Sequence, residues 1–149
     1  MIEQKLILQL KEINQKVLGL MQKKFDEYDL TFGLIYLLMV IMNKPNTAQK
    51  ELAKEMRFTE GAMSISVKKL MNLNMVEQIQ SEHDGRCCML VVTEKGKTVV
   101  EDYKHYLKRI LQDIFKGFRQ DEMEEMSEFL VKISGNLDQI LMDLNERTS

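Results

Sequence analysis

Apolar side chains recur at spacings of three and four from the first residues onward: Ile2, Leu6, Leu10, Ile13, Val17, Leu20 and Met21. That period lays them along one stripe of a helix over residues 2–25, with Lys5, Glu12, Lys16 and Lys23 off the stripe. A first helix this long, with little chain before it to cover its stripe, invites a partner. The acidic break Asp26-Glu27-Tyr28-Asp29 ends it. Thr31 then reads as an N-cap, with Leu30 and Ile35 placed as a hydrophobic staple. The helix from Phe32 to Met42 is apolar almost all round, which predicts the most buried element. Asn43, Lys44, Pro45 and Asn46 stop it, and Pro45 is the only proline in the chain. Thr47 reads as the cap of a short helix, Ala48 to Met56, whose inner face is Leu52, Ala53 and Met56. Arg57 and Phe58 make a turn, and Thr59 caps a helix from Glu60 to Leu73. Met63, Val67, Leu70 and Asn74 line one side of it. At about 100° per residue, Gly61, Ile65, Lys68 and Asn72 point the other way, with Lys69 close by.

The period then changes. Met75 to Gln80 and Cys88 to Val92 read as two strands, joined by Ser81-Glu82-His83-Asp84-Gly85-Arg86-Cys87, in which Asp84-Gly85 is a hairpin signal. Thr93-Glu94 opens a long helix running to about Phe118, with Val99, Val100, Tyr103, Leu107, Ile110, Leu111, Ile114, Phe115 and Phe118 as core positions. Asp121 and Glu124 fit a cap and its third-position acid. The last helix runs to about Leu144 with Met126, Phe129, Leu130, Ile133, Leu137, Ile140, Leu141 and Leu144 on its apolar side. The predicted fold class is mainly α with a small β-hairpin (α+β), as a single domain over 1–149.

The 149 residues suffice for one domain with a real core. The longest apolar run, Leu34 to Met42, is far short of a membrane span. The amino terminus carries an early acid and no signal-type apolar core, so a cytoplasmic protein is expected. Two adjacent cysteines make no disulfide framework, which agrees with a reducing compartment. Net charge is −2, but it is unevenly spread. Residues 1–43 balance five basic against five acidic groups, residues 44–97 carry nine against seven, and residues 98–149 carry seven against eleven. The positive excess therefore sits in the middle, where a polyanion would face it.

A short helix pair followed by a two-stranded hairpin is a winged helix-turn-helix. Its helix fits a major groove and a basic loop beside it reaches the neighbouring minor groove. The same unit also serves elsewhere as a protein-interaction module without DNA.

Residues 49–97 resemble the DNA-binding core of the MarR family of bacterial transcriptional regulators. The resemblance rests on Glu51-Leu52-Ala53, on KKLMNLNMVEQ at 68–78, on Asp84 and Arg86 in the loop, and on VTEKGK at 92–97. The long helices on either side match in length and order, so it covers nearly the whole chain. It implies an obligate homodimer with intertwined terminal helices, a pseudo-palindromic double-stranded operator, and release by a small ligand or an oxidant. Residues 1–30 and 98–149 would form the dimerisation region, through Leu6, Leu10, Ile13, Val17, Leu130, Ile133, Leu137 and Ile140. Residues 31–97 would form the winged helix-turn-helix. The helix from Glu60 would be the recognition helix, offering Thr59, Gly61, Ser64, Ile65, Ser66, Lys68 and Lys69. Arg86 would enter the minor groove, since narrow grooves attract guanidinium, with Asp84 holding it or shaping the loop. Lys50, Lys54 and Lys95, with Lys68 and Lys69, would contact phosphates.

The chain departs from the family at Ile65, where an arginine is common. No Asn, Gln or Arg lies between Thr59 and Met71, so the bidentate contacts that discriminate bases are scarce. Ile65 against a thymine methyl would favour an A·T-rich site. Gly61 either admits the DNA backbone closely or is simply a poor helix former near the first turn.

The remaining chemistry is thin. If Leu90 and Val92 face inward, Cys88 does too and Cys87 lies exposed beside Arg86, whose charge would lower its pKa; a thiol switch is the alternative reading. His83, Cys87, Cys88 and His105 fit no standard zinc spacing, and His105 is expected on a helix surface. No nucleophile–base pair or phosphate loop is readable, so an enzyme is not expected and no cofactor is assigned. Of the twelve methionines, Met39, Met42, Met63, Met71 and Met75 are expected to fill the core, although methionine also suits a plastic pocket for an apolar or phenolic effector.

Overall fold

The computed structural model describes residues 1–80 and 88–149, with Cys88 described in its backbone alone. The elements in chain order are α1 (Ile2–Asp26), α2 (Phe32–Asn43), β1 (Thr47–Ala48), α3 (Gln49–Glu55), α4 (Glu60–Asn72), β2 (Val76–Gln80), β3 (Cys88–Val92), α5 (Glu94–Ile114) and α6 (Gln120–Thr148). They fall into two compact units, Met1–Leu107 and Lys108–Ser149.

In the first unit the core gathers around α2, whose Leu34, Ile35, Leu37, Leu38 and Ile41 are all buried. Around them close Met21 and Phe25 of α1, Leu52 and Ala53 of α3, Met63, Val67 and Leu70 of α4, Leu90 of β3, and Val99, Val100 and Tyr103 of α5. The expected methionine filling holds: Met63 and Met75 are buried, and Met39, Met42 and Met71 pack against the cluster. Thr31 caps α2, its hydroxyl accepting from the Leu34 amide at 3.3 Å. The staple residues Leu30 and Ile35 are both buried. Phe32 and Tyr36 remain exposed, so α2 is not covered all round.

The sheet has three antiparallel strands in the order β1-β3-β2. Val76 pairs with Val92 and Gln80 with Cys88, while Thr47 pairs with Leu90 on the other side of β3. Thr47 is therefore not a helix cap. Its backbone is extended in β1, its hydroxyl donates to the Lys44 carbonyl at 2.8 Å, and α3 starts one residue later, from Ala48 without a side-chain cap. The β-branched threonine suits a strand, and β3 offers it a backbone edge that a helix start does not.

Two helix ends repeat one solution. After α3, Arg57 takes φ +56° and the Phe58 amide reaches back to Ala53. After α4, Asn74 takes φ +58° and the Met75 amide reaches back to Leu70. Both are Schellman closures, which satisfy the last carbonyls of the helix. Asn74 is accordingly an exposed left-handed cap and not an inner-face residue of α4.

The Val92–Lys97 segment is the joint between α4 and α5. The Thr93 hydroxyl donates to Asn74 O at 2.6 Å and accepts from the Gly96 amide at 3.1 Å, while the Thr93 amide donates to Met75 O. Gly96 lies so close to that backbone that a Cβ there would sit 2.4 Å from Met75 O. Between α1 and α5, the Tyr28 hydroxyl donates to the Asp102 carboxylate. The Lys24 ammonium lies 2.8 Å from Glu27 and 3.2 Å from Asp102, over the faces of Tyr28 and Tyr106. Its hydrogen bond to Glu27 raises the Lys24 pKa well above the usual lysine range, despite partial burial.

In the second unit α5 ends at Ile114, four residues before the expected Phe118, because Gly117 takes φ +88° and Phe118 donates to Phe115 O. Only glycine accepts that backbone cheaply. α6 then starts from Arg119, not Asp121; Arg119 pairs with both Asp121 and Glu122 across the first turn. No residue of α6 is buried.

Candidate nucleic-acid interface

The face that α4 turns away from the core is set by its first turn. Thr59 accepts from the Ala62 amide at 3.0 Å and so fixes the helix start. With Met63, Val67 and Leu70 pinned inside, Gly61, Ser64, Ile65, Lys68 and Lys69 are exposed and Ser66 is half-buried. Ile65 keeps 60% of its surface in solvent, which leaves a branched aliphatic side chain at the centre of the outward face. Gly61 has open space around the position of a Cβ.

Lys50 and Lys54 are exposed on α3. Among the described residues, neither they nor Lys68 and Lys69 are ion-paired. Lys95 is engaged differently: its ammonium donates to Leu73 O at 2.7 Å, at the carbonyl end of α4, where the helix dipole favours a cation. Asp84, Arg86, Cys87 and His83 lie outside the described residues. His105 is exposed on α5, its Nδ1 2.9 Å from Glu101 O.

Two glutamines that the sequence reading passed over join this face. Gln78 of β2 donates through Nε2 to Gln49 Oε1 at 2.9 Å, and Gln49, the first residue of α3, donates through Nε2 to Ser64 Oγ at 3.0 Å. The signal available was slight. Val76, Gln78 and Gln80 share one face of β2, and an amide there interrupts an apolar alternation.

Beside the helix pair, Tyr36, Val40 and Asn43 of α2 and Lys44, Glu55 and Met56 line a cleft of about 270 Å³. The Lys44–Glu55 ion pair, at 2.7 Å, forms part of its wall. Elsewhere, Leu6, Ile13 and Val17 of α1 are exposed and Leu10 is half-buried; on α6, Leu130, Leu137 and Ile140 are exposed and Ile133 is half-buried.

Comparison with known proteins agrees with this architecture. A model of the MarR family matches residues 28–86. The transcriptional regulator BilQ of Clostridium symbiosum is 28% identical over 104 residues, covering 70% of this chain and 72% of that protein. The transcriptional regulator SarZ of Staphylococcus epidermidis is 28% identical over 120 residues, covering 74% and 78%. In fold, the chain is similar to Streptococcus pneumoniae FabT crystallised with DNA, at 22% identity and a TM-score of 0.74 over 92% of this chain and 98% of that one. It is also similar to YusO of Bacillus subtilis, at 18% identity and a TM-score of 0.78 over 90% and 95%. With the segment from Tyr28 through Arg86 matched by the family model and the named relatives all regulators, this chain resembles the MarR family of transcriptional regulators over that segment.

Proposed function

We propose that the protein acts as a homodimer on a two-fold double-stranded operator, as a cytoplasmic repressor that a small ligand releases. The observation that carries the reading is the outward face of α4. It is held by a cap at one end and a Schellman closure at the other, and it presents Ile65, Lys68 and Lys69 to solvent. The complexes of FabT and of Staphylococcus aureus MepR with DNA support it by analogy of fold. In this reading Thr59, Gly61, Ser64, Ile65, Ser66, Lys68 and Lys69 meet the major groove, Asp84 and Arg86 serve the wing, and Lys50 and Lys54 meet phosphates. Lys95 reaches a phosphate only by leaving the Leu73 carbonyl. Dimer symmetry sets two half-sites about one helical turn apart.

A shift assay titrated with salt, on the duplex upstream of the gene, tests this. Affinity should fall linearly on logarithmic axes, and Lys68→Ala should reduce the slope by about one. Binding that is absent at low salt, or indifferent to Arg86→Ala, would leave a protein-interaction module as the better account. Ile65 against a thymine methyl predicts an A·T preference that Ile65→Ala removes. For release, the cleft between α2 and α3 is the candidate site for a small phenolic molecule, with Tyr36, Val40 and Met56 to meet a ring and Asn43 and the Lys44–Glu55 pair to meet its hydroxyl. A phenolic ligand should raise the melting temperature and lower DNA affinity, and Tyr36→Ala should blunt both.

A further inference from the structure

The chain Gln78–Gln49–Ser64 runs through β2, α3 and α4 and has a direction. Gln78 donates to Gln49, and Gln49 donates to Ser64. Each link has a structural cause. Gln78 stands opposite Leu90 in the β2–β3 register, and residues directly paired across a ladder project to the same face. Leu90 is buried there, and Gln78, in the same row of β2, is exposed where that row leaves the core, which places its amide beside Gln49. Gln49 sits at the first position of α3, directly after β1. Ser64 lies on the exposed side of α4, next to Ile65.

A serine hydroxyl has one hydrogen and two lone pairs. With the Gln49 amide donating into Oγ, one lone pair is taken, and the serine's own hydrogen and its second lone pair remain for other partners. We infer that Gln49 is a positioning residue for base recognition: it occupies one lone pair of Ser64 and leaves the hydroxyl hydrogen free of Gln49, which biases Ser64 toward a base edge with an acceptor. In a major groove that admits guanine N7 and O6, adenine N7 and thymine O4, and it disfavours cytosine, which presents its N4 amino group. The inference rests on the reading of α4 as the groove-facing helix. It supplies what α4 lacks, since no Asn, Gln or Arg lies between Thr59 and Met71. The discriminating amide comes from the neighbouring helix and acts through Ser64.

The test uses the full-length protein and a randomised duplex pool at low salt, followed by affinities for single-base-pair variants of the selected duplex. Gln49→Ala and Ser64→Ala should both flatten the preference at the same base pair, by about two- to tenfold. Other positions should be unchanged, and the double variant should lose no more than either single one. Gln49→Glu is the sharper variant. A carboxylate still accepts from Gln78 but can only accept from Ser64, so the hydroxyl turns inward and Ser64 becomes an acceptor toward the DNA. The preference at that one pair should move toward cytosine or adenine, whose amino groups donate. The added charge should weaken binding evenly across all sequences, which is separable from the moved preference. Wild-type preference retained at every position in Gln49→Ala and Gln49→Glu overturns the inference, as does a base pair sensitive to Ser64→Ala alone. Wild-type protein that binds no duplex at low salt overturns the regulator reading itself.

Discussion

At Gly96 a single methyl group decides whether α5 can begin where it does. An added Cβ would meet Met75 O at 2.4 Å and the Val92 Cγ1 at 2.6 Å. One of those neighbours is backbone that also accepts from the Thr93 amide, so it cannot yield without loosening the joint. Gly96→Ala should therefore destabilise the fold by about 1–3 kcal/mol, read as a lower midpoint in urea unfolding. Gly61 makes the opposite case. It lies in the first turn of α4 with nothing near the Cβ position, so Gly61→Ala should stabilise the fold by about 0.5–1 kcal/mol. If the same variant binds DNA more weakly while melting higher, the missing side chain serves a close approach; equal or tighter binding would show that Gly61 is merely a poor helix former. The sequence made Thr59 and Thr31 readable as caps because a cap depends only on residues three positions away. The carbonyl partner of Lys95 was not readable: Leu73 O lies 22 positions back, and a lysine with a fixed carbonyl partner is indistinguishable in sequence from one awaiting a phosphate.

Among the elements, α1 is tied to α5 at its carboxyl-terminal end through Lys24, Tyr28 and Asp102. Burial first, and then the hydrogen bond to Asp102, push the Tyr28 phenol up to about 12 from its ordinary value of 10.0. A pKa raised by folding favours the protonated form in the native state. The stability this contributes is complete below pH 10 and is lost as the pH rises toward 12. Lys24 acts in the same direction, because its ammonium is also favoured by the fold. The melting temperature should therefore drop across pH 10–12, and Tyr28→Phe should make that drop shallower while costing about 1 kcal/mol at neutral pH. A drop of unchanged depth in Tyr28→Phe would remove Tyr28 from the account. Helices whose apolar stripe repeats over several turns were readable to within a residue or so, as α1, α2 and α4 were. β1 was not, because two residues carry no period and what makes them a strand is the distant edge of β3 at Met89 and Leu90. The end of α5 was missed for a related reason. Phe115 and Phe118 continue the apolar spacing and stack edge to face at 6.4 Å, so the stripe persists in sequence through a turn that Gly117 makes in space.

For the molecule as a whole, the largest unexplained expense is apolar surface on the terminal helices. Ile13 on α1 keeps 58% of its area exposed, and Leu137 and Ile140 on α6 keep 49% and 53%. Singly exposed aliphatic residues are ordinary, but runs of them at helical spacing on long helices are the kind of surface on which a partner chain docks. A second copy supplies the same stripes in reverse, as a two-fold interface requires. If that copy is the partner, a carboxylate at either stripe should separate the protomers while leaving the buried cluster around α2 intact. Ile13→Glu and Leu137→Glu should then sediment as monomers that retain helical circular dichroism. They should also bind a full operator with an affinity close to that for an isolated half-site, since the gain from tethering two readers is lost with the dimer. A single-site substitution on the outward face of α4, such as Lys69→Ala, should weaken DNA binding without moving the sedimentation coefficient. Dimers that persist in both carboxylate variants would move the interface off these stripes and leave Leu6, Val17, Leu130 and their neighbours to a different partner.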